Sequence, residues 1–284
     1  MTAAALITLR EGLEAALIVG ILLGYLAKIG QGDRRAFIWG GVVVAASASV
    51  LLAALIQILG LNLEGWAEQI FEGATMFLAV GVLTWMIFWM RYQARLLKNE
   101  LERGVQQAVA TGRNIGLFSL AFIAVFREGV ETALFLSAAA FVDSGQGTLA
   151  GAALGLAVAV LLGYLVYAST VRLNVRTFFN VTSVLLLLFA AGLLSHGIHE
   201  FQEAGLMPTV SGQVWDTNHL LDEASPTGEL LKALFGYNGN PSLEEVVGYV
   251  LYWLATLLGV RWWMQRRFRS GSGGAAGLRT PGPG

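Results

Sequence analysis

Arg10-Glu11-Gly12-Leu13-Glu14 and Arg127-Glu128-Gly129-Val130-Glu131 are one pattern written twice. Each copy lies inside a run otherwise apolar enough to span a bilayer. An ionised side chain at mid-membrane costs about 2.5–3.5 kcal/mol on insertion scales. Six such groups left unpaired would cost on the order of 15–20 kcal/mol, against a typical net domain stability of roughly 5–15 kcal/mol. A chain that carries this burden twice has a use for it. On a helix, Glu11 and Glu14 share a face, as do Arg10 and Glu14. Arg127, Glu128 and Glu131 repeat that arrangement. The pattern predicts a carboxylate-lined cation path, with Glu11, Glu14, Glu128 and Glu131 as metal ligands and Arg10 and Arg127 as supporting charge pairs. The competing reading is a pair of structural ion bridges between helices. It explains one such motif well, but not two matched copies that each carry an extra carboxylate. All-oxygen sets of this kind suit hard ions such as Mg²⁺, Ca²⁺, Mn²⁺ and Fe³⁺ and do not choose among them.

Composition agrees with a membrane location. Hydrophobic residues make up 56% of the 284 residues and charged residues only 13%. The formal net charge of −1 suggests no nucleic-acid partner. The chain has no cysteine, which removes thiolate metal sites and disulfides from consideration. The first apolar run lacks a basic leader and is broken by Arg10, Glu11 and Glu14, so it reads as a retained span rather than a cleaved signal.

Apolar runs of roughly 20 residues predict transmembrane helices. They fall at about 3–27, 36–60, 67–90, 115–141, 148–171, 178–200 and 243–264. The predicted fold is an all-α polytopic membrane protein of seven transmembrane helices. Loop charge orients it. Lys28, Arg34 and Arg35 follow the first span, Arg91, Arg95, Lys98, Arg103 and Arg113 the third, Arg172 and Arg176 the fifth, and Arg261, Arg266, Arg267 and Arg269 the seventh. The alternate loops hold a single basic residue, Lys232. The positive-inside rule then places the N-terminus outside and the C-terminus in the cytoplasm. Trp39, Trp85, Trp89, Trp262 and Trp263 fall near the inner interface, where an aromatic belt belongs.

Three spans reverse direction, so the two motif helices run antiparallel. Residues 1–90 and 114–200 form a 3+3 inverted-topology repeat with one C-terminal helix, 243–269, added. Between them lie a polar cytoplasmic linker at 91–113 and an extracytoplasmic loop at 201–242. A Gly/Ser/Pro-rich tail at 270–284 is expected to be disordered. Small residues at four-residue spacing, Gly12, Ala16, Gly20 and Gly24 on one motif span and Gly129, Ala133 and Ser137 on the other, suggest that the two meet through these strips. Gly151, Gly155, Ala159 and Gly163 form a third strip. Ser242-x-x-Glu245 reads as a capping box opening the last span.

A second acidic group marks the outer face. Glu68 and Glu72 open the third span, and His196, His199, Glu200 and Glu203 close the sixth on the same side. Together they predict an outer entry site that concentrates cations. Asp216, His219, Asp222 and Glu223 follow in the loop, where a solvated rim is an equal reading.

These residues resemble the iron permease family, which includes the fungal high-affinity iron permeases and the bacterial EfeU-type transporters. The resemblance rests on the doubled Arg-Glu-Gly-x-Glu motif. It extends to Phe71-Glu72-Gly73, Leu83-Thr84-Trp85-Met86, Phe88-Trp89-Met90, Ala190-Ala191-Gly192-Leu193, His199 through Gly205, Phe235-Gly236-Tyr237 and Pro241-Ser242. It implies an iron-importing permease of the bacterial cytoplasmic (inner) membrane, with the motif glutamates as ligands. It further implies ferric iron, supplied by an iron-oxidising or iron-delivering extracytoplasmic protein. Iron would then be cargo, and no organic cofactor is expected. A carrier for another hard cation, or a proton-coupled transporter, is the alternative. A scaffold or sensor would not need paired carboxylates in mirrored spans. An enzyme would need a nucleophile or a complete metal triad, and the sequence displays neither. A homo-oligomer fits the sequence as well as a monomer.

Overall fold

A computed structural model describes residues 1–93, 97–142, 146–167, 174–223 and 225–272. The expected tail from 273 onward lies outside the described residues. So do the side chains of Trp89, Trp262 and Trp263 and of the loop cations Arg91, Arg95, Arg172, Arg176, Arg266, Arg267 and Arg269.

The described residues are helical with no strand. Seven long helices are α1 (Thr2–Lys28), α2 (Arg35–Leu61), α3 (Trp66–Gln93), α5 (Asn114–Val142), α6 (Gln146–Tyr167), α7 (Val175–Glu203) and α9 (Leu243–Ser272). Two shorter ones are α4 (Leu97–Ala110) and α8 (Pro226–Phe235). Five helical stretches are long and apolar enough to cross a membrane: Gly32–Leu61, Trp66–Phe88, Gly147–Leu165, Thr177–Glu203 and Leu243–Arg261. Helices α1 and α5 are long enough as well, at 27 and 29 residues, but each contains a charged motif. The charges that make these two helices interesting are also what lowers their apolar character.

The outer surfaces of these stretches are apolar as well. Val50, Leu51, Ile58 and Leu61 on α2, and Leu149, Val160 and Leu161 on α6, are exposed. Apolar surface on this scale would be a large liability in water but costs nothing in hydrocarbon.

Helix α1 packs along α6, and α2 packs along α5. Helices α1 and α5 also meet each other, and α3 pairs with α7. Helices α8 and α9 both pack on α7. The small-residue strips act differently from the expectation. A Cβ on Gly12 would approach Ala159 Cβ to 2.8 Å, and one on Gly163 would approach Ala16 Cβ to 2.7 Å. The Gly12–Ala16 half of the α1 strip therefore packs against the strip on α6, not against α5, while a Cβ on Gly20 or Gly24 would meet open space. Gly129 packs instead against Ser49 of α2, whose hydroxyl occupies the space a side chain would need. Two facing small-residue strips allow the closest backbone approach, so α1 and α6 take that contact.

Helix α4 is amphipathic. Leu101, Val105 and Ala108 are buried in a cluster with Ile18, Leu22 and Leu26 of α1, Ile38 of α2, and Leu117 and Ala121 of α5. It covers the Lys28 end of α1 and the Asn114 end of α5. Residues 201–223 and 225–242 are folded back on the bundle. Ser225 caps α8 by accepting from Gly228 N at 3.0 Å, and Gly236 ends it at φ 67°. Gly236 lies against Gly192 of α7 with no room for a side chain on either residue. The loop is tied across itself by Val214 N to Pro241 O at 2.9 Å and Thr217 N to Gly239 O at 2.7 Å.

Candidate metal site

The two motifs meet where α1 approaches α5. One carboxylate oxygen each from Glu11, Glu128 and Glu131 lies within 4.8 Å of the others. Glu11 and Glu128 are 1% and 2% exposed. On each helix an arginine takes the first carboxylate oxygens. Arg10 Nη1 contacts Glu11 Oε1 at 2.5 Å, and Arg10 Nη2 meets Glu14 Oε1 at 3.0 Å. Arg127 Nη2 donates to Glu128 Oε1 at 2.7 Å, and its Nε lies 3.7 Å from Glu131 Oε1. The Oε2 atoms of Glu11, Glu128 and Glu131 are buried with no hydrogen-bond partner in the protein. Buried acceptors without donors are costly, and three of them on carboxylates this close together call for a positive ligand.

Glu14 stands apart from the three. It is paired with Arg10, although it remains within electrostatic reach of Glu128 and Glu131. Helix α3 adds a residue that sequence reasoning missed: Met86 Sδ accepts from Arg10 Nη1 at 3.2 Å. Nothing in its spacing set it apart from an ordinary core methionine.

Apolar clusters close the site along both helices. Ile7 of α1 and Phe135 of α5 join a cluster with Met76, Leu83 and Met86 of α3 and Leu186 and Phe189 of α7. Ile18 of α1 and Ala121 of α5 join the cluster under α4. The carboxylates thus sit between two apolar layers.

The expected outer group divides into two sides of α7. Glu200 faces α3, within electrostatic reach of both Glu68 and Glu72. Glu203 accepts from Gln69 of α3 at 3.1 Å and also contacts His199 Nε2 at 3.2 Å. His199 Nδ1 turns the other way, to Glu245 Oε1 of α9 at 3.2 Å. His196 Nδ1 meets Gly192 O at 3.0 Å. Asp222 contributes a backbone carbonyl to Ser225 Oγ, and Glu223 Oε1 accepts from Gly239 N at 2.5 Å, so both belong to the loop's own fold. The capping box is present, with Glu245 N donating to Ser242 Oγ at 3.3 Å and Ser242 N to Glu245 Oε1 at 3.4 Å. Yet Glu245 is only 2% exposed and also accepts from Ser195 and Asn238. Its capping signature hid a second set of contacts.

Buried carboxylates inside a bundle of lipid-facing helices define a multi-pass membrane protein built to handle a cation. Family comparison makes this specific. The model of the iron permease FTR1 family matches residues 1–269, and the chain belongs to that family. It is 40% identical over 255 residues to the ferrous iron permease EfeU of Escherichia coli, which covers 89% of this chain and 92% of the relative. The EfeU of Yersinia pestis is 38% identical over 255 residues, covering 89% of this chain and 90% of the relative. Another Escherichia coli relative, 40% identical over 255 residues, is named as an inactive form of the same permease. No solved structure matches the fold. The protein is an iron permease by family, and its relatives are named as transporters rather than enzymes.

Proposed function

We propose that this chain imports iron across the bacterial cytoplasmic membrane through the paired Arg-Glu-Gly-x-Glu motifs. The observation that carries this reading is the convergence of Glu11, Glu128 and Glu131 from two helices onto one buried point. In this account all seven long helices span the bilayer, with the N-terminus outside. A two-fold axis that exchanges α1–α3 with α5–α7 maps the α1–α6 contact onto α5–α2 and leaves α1–α5 and α3–α7 on the axis. The packing has that pattern, which supports the inverted repeat. Glu14 completes the charge balance, and Arg10 and Arg127 hold one oxygen of each partner so that the other is presented to the ion.

Glu68, Glu72 and Glu200 form the capture face on the α3 side, with Glu203 linking it to His199, and His196 one turn further along α7. An extracytoplasmic iron-oxidising or iron-delivering protein supplies the ion there. The relatives' names favour ferrous iron as the species offered. The all-carboxylate core favours the harder ferric ion within the membrane. Proteoliposomes loaded with a ferrous chelator or a ferric chelator separate the two. The same donor set admits other hard cations, so Mn²⁺ competition belongs in the assay.

The direct test is uptake of radiolabelled iron by Glu11→Gln, Glu128→Gln and Glu131→Gln variants. Each keeps size and loses charge. Wild-type uptake by any two would sink the site. Orientation is checked by single-cysteine labelling, which the cysteine-free chain makes clean. Position 220 should react with an impermeant reagent from outside only.

A further inference from the structure

We infer that α4 is the inner gate of the permease. It plugs the cytoplasmic end of the path from the carboxylate core, and iron is released only when it swings aside. The inference rests on the import reading and orientation above, which put the linker that carries α4 in the cytoplasm.

The ligand-bearing faces of α1 and α5 do not end at the core. Ile18 and Leu22 follow Glu11 by seven and eleven residues, and Ala121 and Leu117 precede Glu128 by the same two steps. Each step returns to within about 20° of the glutamate's direction, at about 10 and 16 Å along the helix axis. The faces that present Glu11 and Glu128 therefore run on toward the cytoplasm as apolar surface, and Leu26 extends the first by another turn. Leu22, Leu26, Leu117 and Ala121 are completely buried. Part of what buries them is α4, whose Leu101, Val105 and Ala108 complete the same cluster. An ion moving inward along these faces meets a dry layer with no oxygen to replace its water, which a multivalent cation does not cross.

Helix α4 is the part of this plug that can leave. Lys98, Glu100, Arg103, Gln106 and Gln107 form an exposed polar face, so the helix is at home in water. Among the described residues, its contacts with α1, α2 and α5 are apolar packing, and its ion pair, Lys98 with Glu102 at 3.9 Å, is internal. Gly112, at φ 68°, makes the turn from α4 into α5. The other walls have less freedom. Helix α1 is pressed onto α6 with Gly155 against Ala5, and α5 onto α2 with Gly41 against Phe118, with no room for a Cβ on either glycine. Backbones in such contact move as units, whereas a short amphipathic helix held by a few apolar side chains undocks locally.

The structural alternative is that α4 is a fixed brace for the two motif helices. A bridge decides between them. A Cβ on Gly104 would lie 3.7 Å from Leu120 Cγ of α5, and the native chain has no cysteine, so Gly104→Cys/Leu120→Cys can be oxidised to pin α4 in place. In proteoliposomes the oxidised sample should take up iron at least about tenfold more slowly than the same sample after reduction, while its equilibrium iron binding changes by less than about twofold. Each single-cysteine variant, treated alike, should keep its uptake. Equal uptake before and after reduction overturns the gate. Loss of iron binding together with uptake overturns it as well, because α4 would then shape the core rather than close its exit. Leu22→Cys supplies a second readout that needs no bridge. An impermeant thiol reagent on the cytoplasmic side should label it during iron turnover and leave it unlabelled without iron. No labelling during turnover, or equal labelling in both conditions, contradicts the proposal. The import reading fails separately, if the reduced sample takes up no iron at all.

Discussion

The pentapeptide on α1 and its copy on α5 have identical charge spacing and different surroundings. Arg10 is completely buried and divides its guanidinium among Glu11, Glu14 and Met86. Arg127 keeps 47% of its side chain exposed, holding Glu128 closely and Glu131 at 3.7 Å. The clamped copy contributes one carboxylate to the three-way cluster and the looser copy contributes two. A repeated motif therefore fixes which groups are available, while the neighbouring helices decide which of them an arginine withdraws. Helix α3 adds to the difference at Arg10, because Met86 accepts from the guanidinium there.

The largest test of that difference lies within the first motif. Glu11→Gln should reduce iron uptake at limiting concentration by more than the ~10–100-fold typical of supporting residues around a metal. Glu14→Gln should reduce it less. Its main effect is to leave Arg10 short of a buried partner, and breaking such a pair costs about 3–5 kcal/mol of stability. Glu11→Gln breaks the other buried pair of Arg10, so the thermal unfolding midpoint in detergent should fall in both variants while uptake separates them. Equal uptake losses would mean that Glu14 joins the ion on the same terms as Glu11.

The arginines come next. Arg10→Lys and Arg127→Lys both keep the charge and lose the planar fork. Arg10 uses two nitrogens on two carboxylates in a dry site, so its lysine variant should lose about tenfold in uptake. Arg127 is half exposed, so water can replace part of its contact, and its variant should lose severalfold at most. Matching losses would show that the burial difference has no functional weight.

Much of this was legible beforehand, and the gaps have physical causes. Helical periodicity assigns residues to faces, and loop composition marks the ends, so the long helices and the charged motifs could be read from the chain. Periodicity does not say which helix a face meets. That is why the Gly12 strip was expected against α5 and packs on α6 instead. It is also why the face shared by Arg10, Glu11 and Glu14 did not show which of the two carboxylates would turn toward the second motif helix. Glu245 was legible as a cap because capping is a local pattern. Its contacts with Ser195, His199 and Asn238 depend on the fold of residues 201–242, which no short-range pattern fixes. The outer acidic group was readable as a group, but its division across α7 was not.

The smallest effects belong to that outer group. Glu72 lies within electrostatic reach of Glu200 across the α3–α7 contact and of Glu68 on its own helix. Its Gln variant should raise the apparent Michaelis constant for iron severalfold and change the maximal rate less, because capture depends on concentration and passage does not. Asp222→Asn lies at the loop surface, where water and salt screen a charge, and should change neither. Equal and negligible effects would reduce the capture face to a solvated rim.

The central claim is that both motif copies bind one ion together. A double-mutant cycle on iron affinity tests it most directly, using Glu11→Gln, Glu128→Gln and the pair in the purified chain. Two ligands of one ion must be strongly coupled. The account predicts that the double variant binds iron little worse than the weaker single variant. Losses that multiply, each substitution acting in full regardless of the other, would place the two glutamates at separate sites and contradict it.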